Sequence, residues 1–155
     1  MKFKQYQFLR DRAVAILKEQ ETHEGTRTVE AAEDSLMLAY MGDALYSLYV
    51  RERVIATGIA KVQVLHTIVT EFICAKSQAK ALPVLETLFT EEEHEVARRA
   101  RNGHVNVPKS ATVQEYRAST AFEAVLGYLY YEGRRDRLQS LMEKAFSVTL
   151  ENLHF

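Results

Sequence analysis

Residues 38–46 read Leu38-Ala39-Tyr40-Met41-Gly42-Asp43-Ala44-Leu45-Tyr46, an apolar stretch in which a single carboxylate follows a glycine. The apolar residues recur at helical spacing and predict a mostly buried helix: Leu36, Met37, Tyr40, Met41, Ala44, Leu45, Leu48 and Tyr49. A buried aspartate is costly to desolvate unless it is paired, hydrogen-bonded or bound to a metal. Because glycine inside a helix costs about 1 kcal/mol relative to alanine, Gly42 indicates a close contact there.

A second apolar stretch, residues 116–130, also contains one lone carboxylate, Glu123. Its apolar residues again follow helical spacing, and Glu123 shares a face with Thr120 and Gly127. Two such helices would bring two carboxylates together, and a carboxylate pair suits Mg²⁺, a hard cation that prefers oxygen ligands. Spacing alone leaves an equal alternative, in which a separate arginine neutralises each acid.

The remaining chain also reads as helices without a convincing strand pattern, so the sequence predicts an all-α fold. Thr90 and Thr112 each precede a glutamate by three residues, which is the capping-box pattern at the beginning of a helix. Gly58 and Pro83 are interpreted as helix ends, and residues 103–111 as a loop. The predicted helices cover residues 5–21, 31–57, 62–81, 84–89, 90–102, 112–133 and 134–153.

Composition restricts the class of protein. A chain of 155 residues, 47% hydrophobic and 26% charged, is typical of one globular domain, interpreted here as residues 1–155. Cys74 is the single cysteine, so no intrachain disulfide is expected. The N-terminal residues lack the apolar core of a signal peptide, and no segment approaches the roughly 20 apolar residues of a membrane span. We therefore expect a cytoplasmic protein without a membrane partner.

Several motifs carry a resemblance to a known family. Residues 38–44 and 121–127 resemble the two acidic helices of the ribonuclease III catalytic domain. Other segments resemble a narrower relative, the Mini-ribonuclease III family: Ala75-Lys76-Ser77-Gln78-Ala79, Arg99-Ala100-Arg101-Asn102, Pro108-Lys109 and Tyr116-Arg117-Ala118-Ser119-Thr120-Ala121-Phe122-Glu123. The resemblance runs from about residue 35 to residue 133, and residues 1–30 contribute little to it.

The resemblance implies a homodimeric helical bundle like the ribonuclease III catalytic domain. It also implies that the protein, like the Mini-ribonuclease III family, lacks a separate double-stranded-RNA-binding domain. It implies an Mg²⁺-dependent endoribonuclease that cleaves double-stranded RNA and leaves 5′-phosphate ends, with Mn²⁺ as a substitute ion. The usual role of the family is maturation of the ends of precursor 23S ribosomal RNA, for which a ribosomal protein is a candidate helper. By matched position, Asp43 and Glu123 are the catalytic residues and the metal ligands.

The sequence departs from the full ribonuclease III pattern at two positions. Ala39 and Thr120 stand where further acids would be, a thinning that the Mini family shares. With two carboxylates at the site, we expect weaker Mg²⁺ binding and consider a one-metal site. The missing acids also leave an alternative, a catalytically inert RNA-binding module, although the presence of both Asp43 and Glu123 favours the enzyme.

Charge placement predicts where RNA binds. Residues 98–117 contain five basic residues and one acid, around the predicted loop, and such a segment suits contacts to RNA phosphates and 2′-hydroxyls. The alternative is that the arginines only favour a helix C-terminus. With the resemblance, we predict these RNA-binding residues: Lys76, Arg98, Arg99, Arg101, Asn102, Lys109 and Arg117. The cluster at residues 134–137 is interpreted as ordinary surface.

Overall fold

The computed structural model describes residues 1–22, 34–103 and 107–153. Within these ranges the chain forms seven α-helices and no strand, which confirms the predicted all-α fold. The helices are α1 (Phe3–Thr22), α2 (Ser35–Ile55), α3 (Val62–Ile73), α4 (Ala75–Glu86), α5 (Glu91–Arg101), α6 (Val113–Tyr131) and α7 (Arg135–Asn152). None of the described helices is long and apolar enough to cross a membrane.

The chain forms two compact units, residues 1–30 and residues 31–155. The first contains α1, which begins two residues before the position predicted for it and ends one residue after. The second contains α2 to α7 and the hydrophobic core. The interpretation of residues 1–155 as a single domain stays a prediction.

The central helix of the second unit is α6, which contacts α2, α4, α5 and α7. A helix that is apolar on nearly all sides is stable only when other elements cover it, and α6 meets this condition. Its buried apolar residues include Ala121, Phe122, Ala124, Val125, Leu126 and Leu129. The core therefore forms around the same helix that carries Glu123.

Two glycines allow α2 and α6 to approach closely. A Cβ atom at Gly42 of α2 would overlap the backbone oxygen of Glu123, and a Cβ atom at Gly127 of α6 would overlap the backbone oxygen of Leu38. The contact predicted at Gly42 is confirmed, and its partner is the backbone of the residue that carries the second acid. The same approach brings Asp43, the neighbour of Gly42, to Glu123.

Both predicted capping boxes are present. The Thr90 hydroxyl accepts from the backbone N–H of Glu93 at 3.2 Å, and Thr112 accepts from the N–H of Glu115 at 3.0 Å. Each glutamate side chain accepts from the threonine N–H in return. These reciprocal bonds satisfy backbone donors that the first turn of a helix leaves unpaired, so α5 and α6 begin where the sequence predicted.

The surface interpretation of residues 134–137 is wrong for Arg137. Its guanidinium donates to both carboxylate oxygens of the buried Glu93, at 2.8 and 3.2 Å, and to the backbone oxygen of Leu88. These hydrogen bonds join the beginning of α7 to the beginning of α5. They also lower the pKa of Glu93, against the burial that would raise it.

The predicted helix over residues 62–81 is wrong, because α3 and α4 are separate helices joined at Cys74. The backbone of Cys74 is extended, with φ −66° and ψ 153°, which ends the helical hydrogen bonding although the apolar spacing continues. Pro83 lies inside α4 rather than after it. Its neighbours Leu82 and Leu85 are buried, and this packing holds the helix together past the proline. The predicted separate helix over residues 84–89 is also wrong, because residues 84–86 are the end of α4 and residues 87–89 are not helical.

Candidate active site

A cavity of about 740 Å³ opens between α2, α6, the α3–α4 junction and residues 107–111. Asp43 projects from α2 and Glu123 from α6, and both side chains line this cavity. The wall opposite them comes from Thr70, Cys74, Lys76, Pro108 and Ser110. The structure thus brings the two predicted acids together in an open depression, where a large ligand can reach them.

The environments of the two carboxylates differ. Asp43 is exposed, which corrects the prediction that it is buried, whereas Glu123 is half-buried. Burial, followed by the charge of Asp43 and a hydrogen-bonded contact with its carboxylate, raises the pKa of Glu123 to about 9. A hydrogen bond from Ser119 acts in the opposite direction. Glu123 therefore holds a proton near pH 7 unless a cation takes its place.

The alternative in which arginines neutralise the two acids separately finds no support in the described part of the chain. The ion pairs found there involve neither Asp43 nor Glu123. Two carboxylates in contact repel each other when both are ionised, and a bound cation removes that repulsion. The pair is therefore a suitable site for a cation.

The donor set fits Mg²⁺. Within residues 1–22, 34–103 and 107–153, no group of three or more His, Cys, Asp or Glu side chains is arranged to hold a metal. Asp43 and Glu123 alone would supply two carboxylates, and Mg²⁺ commonly binds one or two carboxylates while keeping several water ligands. An open cavity leaves room for these waters and for a phosphate.

Ser119, a contact of Glu123, and Gln78, a contact of Ser119, are residues to which the sequence assigned no role. The Ser119 hydroxyl lies 3.2 Å from Glu123 Oε1 and 2.6 Å from Gln78 Oε1. Ser119 precedes Glu123 by one helical turn, so the i, i+4 spacing could have identified this contact from the sequence. The contact with Gln78 crosses from α6 to α4 and has no local sequence signal.

One predicted RNA-binding residue lines the cavity, and two others are sequence neighbours of residues that line it. Lys76 lines it. Lys109 stands between Pro108 and Ser110, which line it, and Arg117 follows a lining tyrosine. Lys76, Lys109 and Arg117 are exposed, and none of them forms an ion pair within the described ranges. Their charges are available to a polyanion that enters the cavity.

The other predicted RNA-binding residues lie along α5, outside the cavity lining. Arg98 forms an ion pair with Glu95 at 2.7 Å, and Arg99 lies 3.9 Å from the same carboxylate. Arg101 pairs with Glu86 of α4 at 3.0 Å. The count over residues 98–117 omitted both of these acids, so this surface is less positive than the sequence suggested. The exposed Asn102 caps the C-terminal end of α5 through its backbone N–H.

Comparison with known proteins identifies the family to which the chain belongs. A family profile described as the Ribonuclease III domain matches residues 36–134, the part that contains both acids. A Mini-ribonuclease 3 from Thermoanaerobacter sp. (strain X514) is 42% identical over 117 residues, which cover 75% of this chain and 82% of that protein. The chain belongs to the Mini-ribonuclease 3 family. Another relative of that name, from Symbiobacterium thermophilum, is 46% identical over 112 residues, which cover 71% and 85% of the two chains.

A solved structure agrees with the fold of this chain. The crystal structure of a protein from Fusobacterium nucleatum superposes with a TM-score of 0.69 at 27% identity, and covers 74% of this chain and 93% of that one. The resemblance found in the sequence is confirmed. Residues 1–30 lie outside the matched domain, as expected.

The residues that stand in place of the two missing acids are both located at the cavity. Ala39 and Thr120 both line the cavity, beside the carboxylate pair. The Thr120 hydroxyl donates to the backbone oxygen of Tyr116 at 2.9 Å and is thus engaged within its own helix. Neither residue adds a negatively charged ligand, so the site keeps two carboxylates.

Proposed function

We propose that the cavity around Asp43 and Glu123 is the catalytic site of an Mg²⁺-dependent endoribonuclease that cleaves double-stranded RNA. Family membership makes the chain a double-strand-specific endoribonuclease, and the contact between two carboxylates in an open cavity supports this location for the chemistry. Both acids lie on the helices whose sequences first indicated the family. Mn²⁺ is expected to substitute for Mg²⁺.

Asp43 and Glu123 would hold the metal ion. When bound, Mg²⁺ supplies Lewis acidity that polarises a phosphoryl oxygen and favours ionisation of water. The chain itself contributes the two carboxylates and, through Lys76 and Lys109, positive charge near the phosphate, where charge develops in the transition state. By analogy with the family, the products carry a 5′-phosphate and a 3′-hydroxyl.

RNA contacts are proposed to begin at the cavity and extend along α5. Lys76, Lys109 and Arg117 would bind phosphates nearest the carboxylates, because no acid engages them in an ion pair within the described ranges. Contacts to phosphates position a duplex without reading its sequence. More distant contacts would come from the side chains along α5 and its end: Arg98, Arg99, Arg101 and Asn102.

The functional unit is proposed to be a homodimer formed through α2. Apolar residues on one face of α2 are exposed, and such a face is typical of a protein interface: Met37, Tyr40, Leu48 and Ile55. Tyr40 also lines the cavity, so a partner copy on this face would lie beside the catalytic carboxylates. A two-fold dimer has two equivalent sites, one for each strand of a duplex.

The cellular substrate is proposed to be precursor 23S ribosomal RNA, whose ends this enzyme would mature in the cytoplasm. The resemblance to the Mini-ribonuclease III family supports this substrate, since maturation of that RNA is the usual role of the family. A ribosomal protein is the proposed helper. Processing of the precursor in cells that carry the Asp43→Asn variant would test this assignment.

The catalytic assignment is tested with a long duplex RNA incubated with Mg²⁺ or with EDTA. We expect the wild-type protein to cut only with Mg²⁺, and Asp43→Asn and Glu123→Gln to lose cutting while they still bind the duplex, because each lacks one of two metal-holding carboxylates. Asp136→Asn, an exposed aspartate in the first turn of α7, is the matched control and should cut normally.

Two results would contradict the assignment. Normal cutting by Asp43→Asn would show that the Asp43 carboxylate is not part of the catalytic site. Binding without cutting by the wild-type protein, across Mg²⁺, Mn²⁺ and several duplexes, would favour the catalytically inert RNA-binding module.

A further inference from the structure

A hydrogen-bonded chain leads from Glu123 into the interior of the second unit. The Ser119 hydroxyl lies within donating distance of two acceptors, Gln78 Oε1 at 2.6 Å and Glu123 Oε1 at 3.2 Å. Gln78 belongs to α4, and only 2% of its surface is exposed. Its amide is therefore closed to solvent, and Ser119 connects it to the carboxylate pair.

The position of Gln78 is energetically unfavourable for a polar side chain, because it is buried. Ala81 and Leu82, which follow it on α4, are fully buried, and an amide in such surroundings is costly unless it is hydrogen-bonded. Gln78 does not line the cavity that contains Asp43 and Glu123, so it reaches no bound phosphate directly. Any influence of Gln78 on the site must therefore pass through Ser119.

The chemistry of the two groups makes them interdependent. A serine hydroxyl has one hydrogen to donate, whereas a glutamine amide offers an acceptor oxygen and a donor NH₂ group. When Ser119 gives its hydrogen to Glu123, Gln78 can offer the NH₂ group to the serine oxygen after a half-turn of its amide. In the structure the Gln78 oxygen faces Ser119 at the shorter distance, so the orientation of the Gln78 amide decides whether the hydroxyl points to Gln78 or to Glu123.

We propose that Gln78 and Ser119 are positioning residues that hold the Glu123 carboxylate in the orientation in which it binds the metal ion together with Asp43. This inference rests on the proposed metal site. Mg²⁺ requires nearly ideal octahedral geometry, and a site with two protein carboxylates has no third to fix their orientation. Hydrogen bonds to a ligating carboxylate commonly change metal affinity by about 10-fold or more.

The experiment measures Mn²⁺ binding to the full-length, RNA-free protein by electron paramagnetic resonance of the free ion. We expect Ser119→Ala to weaken Mn²⁺ binding about 10-fold, the scale of one hydrogen bond to a charged group. Gln78→Met keeps the side-chain length without the amide and should weaken it about 3-fold, because the Ser119 bond then lacks its support. The double variant should bind no more weakly than Ser119→Ala.

A cleavage assay adds a second readout that a purely structural defect would not give. At limiting Mn²⁺ both variants should cut slowly, and at saturating Mn²⁺ their kcat should return to near the wild-type value. Thr149→Val is the matched control, since it removes a buried hydroxyl of α7 that does not line the cavity. Its Mn²⁺ affinity should stay unchanged.

The outcomes separate this inference from the proposed function. If Asp43→Asn abolishes Mn²⁺ binding while Ser119→Ala and Gln78→Met bind normally, the positioning role is wrong and the metal site stands. If Asp43→Asn binds Mn²⁺ normally, the proposed site fails and this inference fails with it. Additive losses in the double variant would show that Gln78 does not act through Ser119, which would also overturn the inference.

Discussion

At the scale of single residues, the site depends on the difference between two acids. Both lie in one cavity, yet Asp43 is exposed and Glu123 is half-buried. Burial and the neighbouring charge raise the pKa of Glu123 to about 9, from its ordinary value of 4.5. The spacing of apolar residues predicted an inward acid on each helix, but it could not predict that the face of Asp43 opens onto a cavity.

This raised pKa predicts how stability and metal binding depend on pH. Between about pH 4.5 and 9 the folded, metal-free protein binds more protons than the unfolded chain, so the contribution of Glu123 to folding falls as pH rises. In EDTA, the wild-type melting temperature should therefore fall more than that of Glu123→Gln between pH 6 and 9. Because Mg²⁺ competes with the proton, its stabilising effect should be larger at pH 9 than at pH 6.

Differential scanning fluorimetry at pH 6, 7, 8 and 9 measures both effects, with EDTA or with Mg²⁺. The Glu123→Gln variant is the control, since its amide does not titrate. Parallel pH profiles for the two proteins would contradict the raised pKa.

At the scale of elements, the two capping boxes predicted where helices begin, whereas apolar spacing did not predict a break between helices. The boxes at Thr90 and Thr112 placed the beginnings of α5 and α6, because capping involves residues three positions apart. The break at Cys74 was missed, because the apolar spacing continues through it. Gly42 indicated a close contact from the sequence, but only the fold shows that the contact is the backbone of α6.

Because α2 and α6 approach closely at Gly127, a single methyl group added there is predicted to destabilise the fold. Gly127→Ala would place its Cβ against the backbone oxygen of Leu38, which cannot move without shifting α2. Overpacking of this kind costs about 1–3 kcal/mol, which exceeds the gain in helix propensity of about 1 kcal/mol. We expect a lower free energy of unfolding in urea, and weaker Mn²⁺ binding because α2 carries Asp43.

Gly103→Ala is the matched control for this variant. A Cβ atom there would meet its nearest atom at 3.4 Å, so the methyl group fits with little adjustment. If the Gly127→Ala protein is as stable as the Gly103→Ala protein, α2 and α6 can move apart without loss of stability, and the prediction is wrong.

At the scale of the whole molecule, the sequence motifs predicted the family and the helical bundle but not the distribution of charge over the surface. Counting residues 98–117 predicted a strongly basic segment, yet Glu86 and Glu95 pair with its arginines. Glu86 lies 15 residues before Arg101 and comes near it because α4 and α5 both pack against α6. Similarly, the apolar spacing of α2 predicted a mostly buried helix, whereas the described residues of the second unit leave one of its faces exposed.

That uncovered face predicts the oligomeric state. Met37 and Leu48 are 60% and 58% exposed, so a charge at either position should leave the fold of the single chain intact. Burying a charge in an apolar interface is costly, so Met37→Glu with Leu48→Glu should convert a dimer of twice 17.8 kDa into a 17.8 kDa monomer. Light scattering after size-exclusion chromatography measures the mass.

Val62→Glu, at an exposed apolar residue of α3, is the control and should stay dimeric. A monomeric wild-type protein, or a double variant that stays dimeric, would exclude this face as the interface. A monomeric variant that cuts only one strand of a duplex at a time would link the dimer to double-strand cleavage.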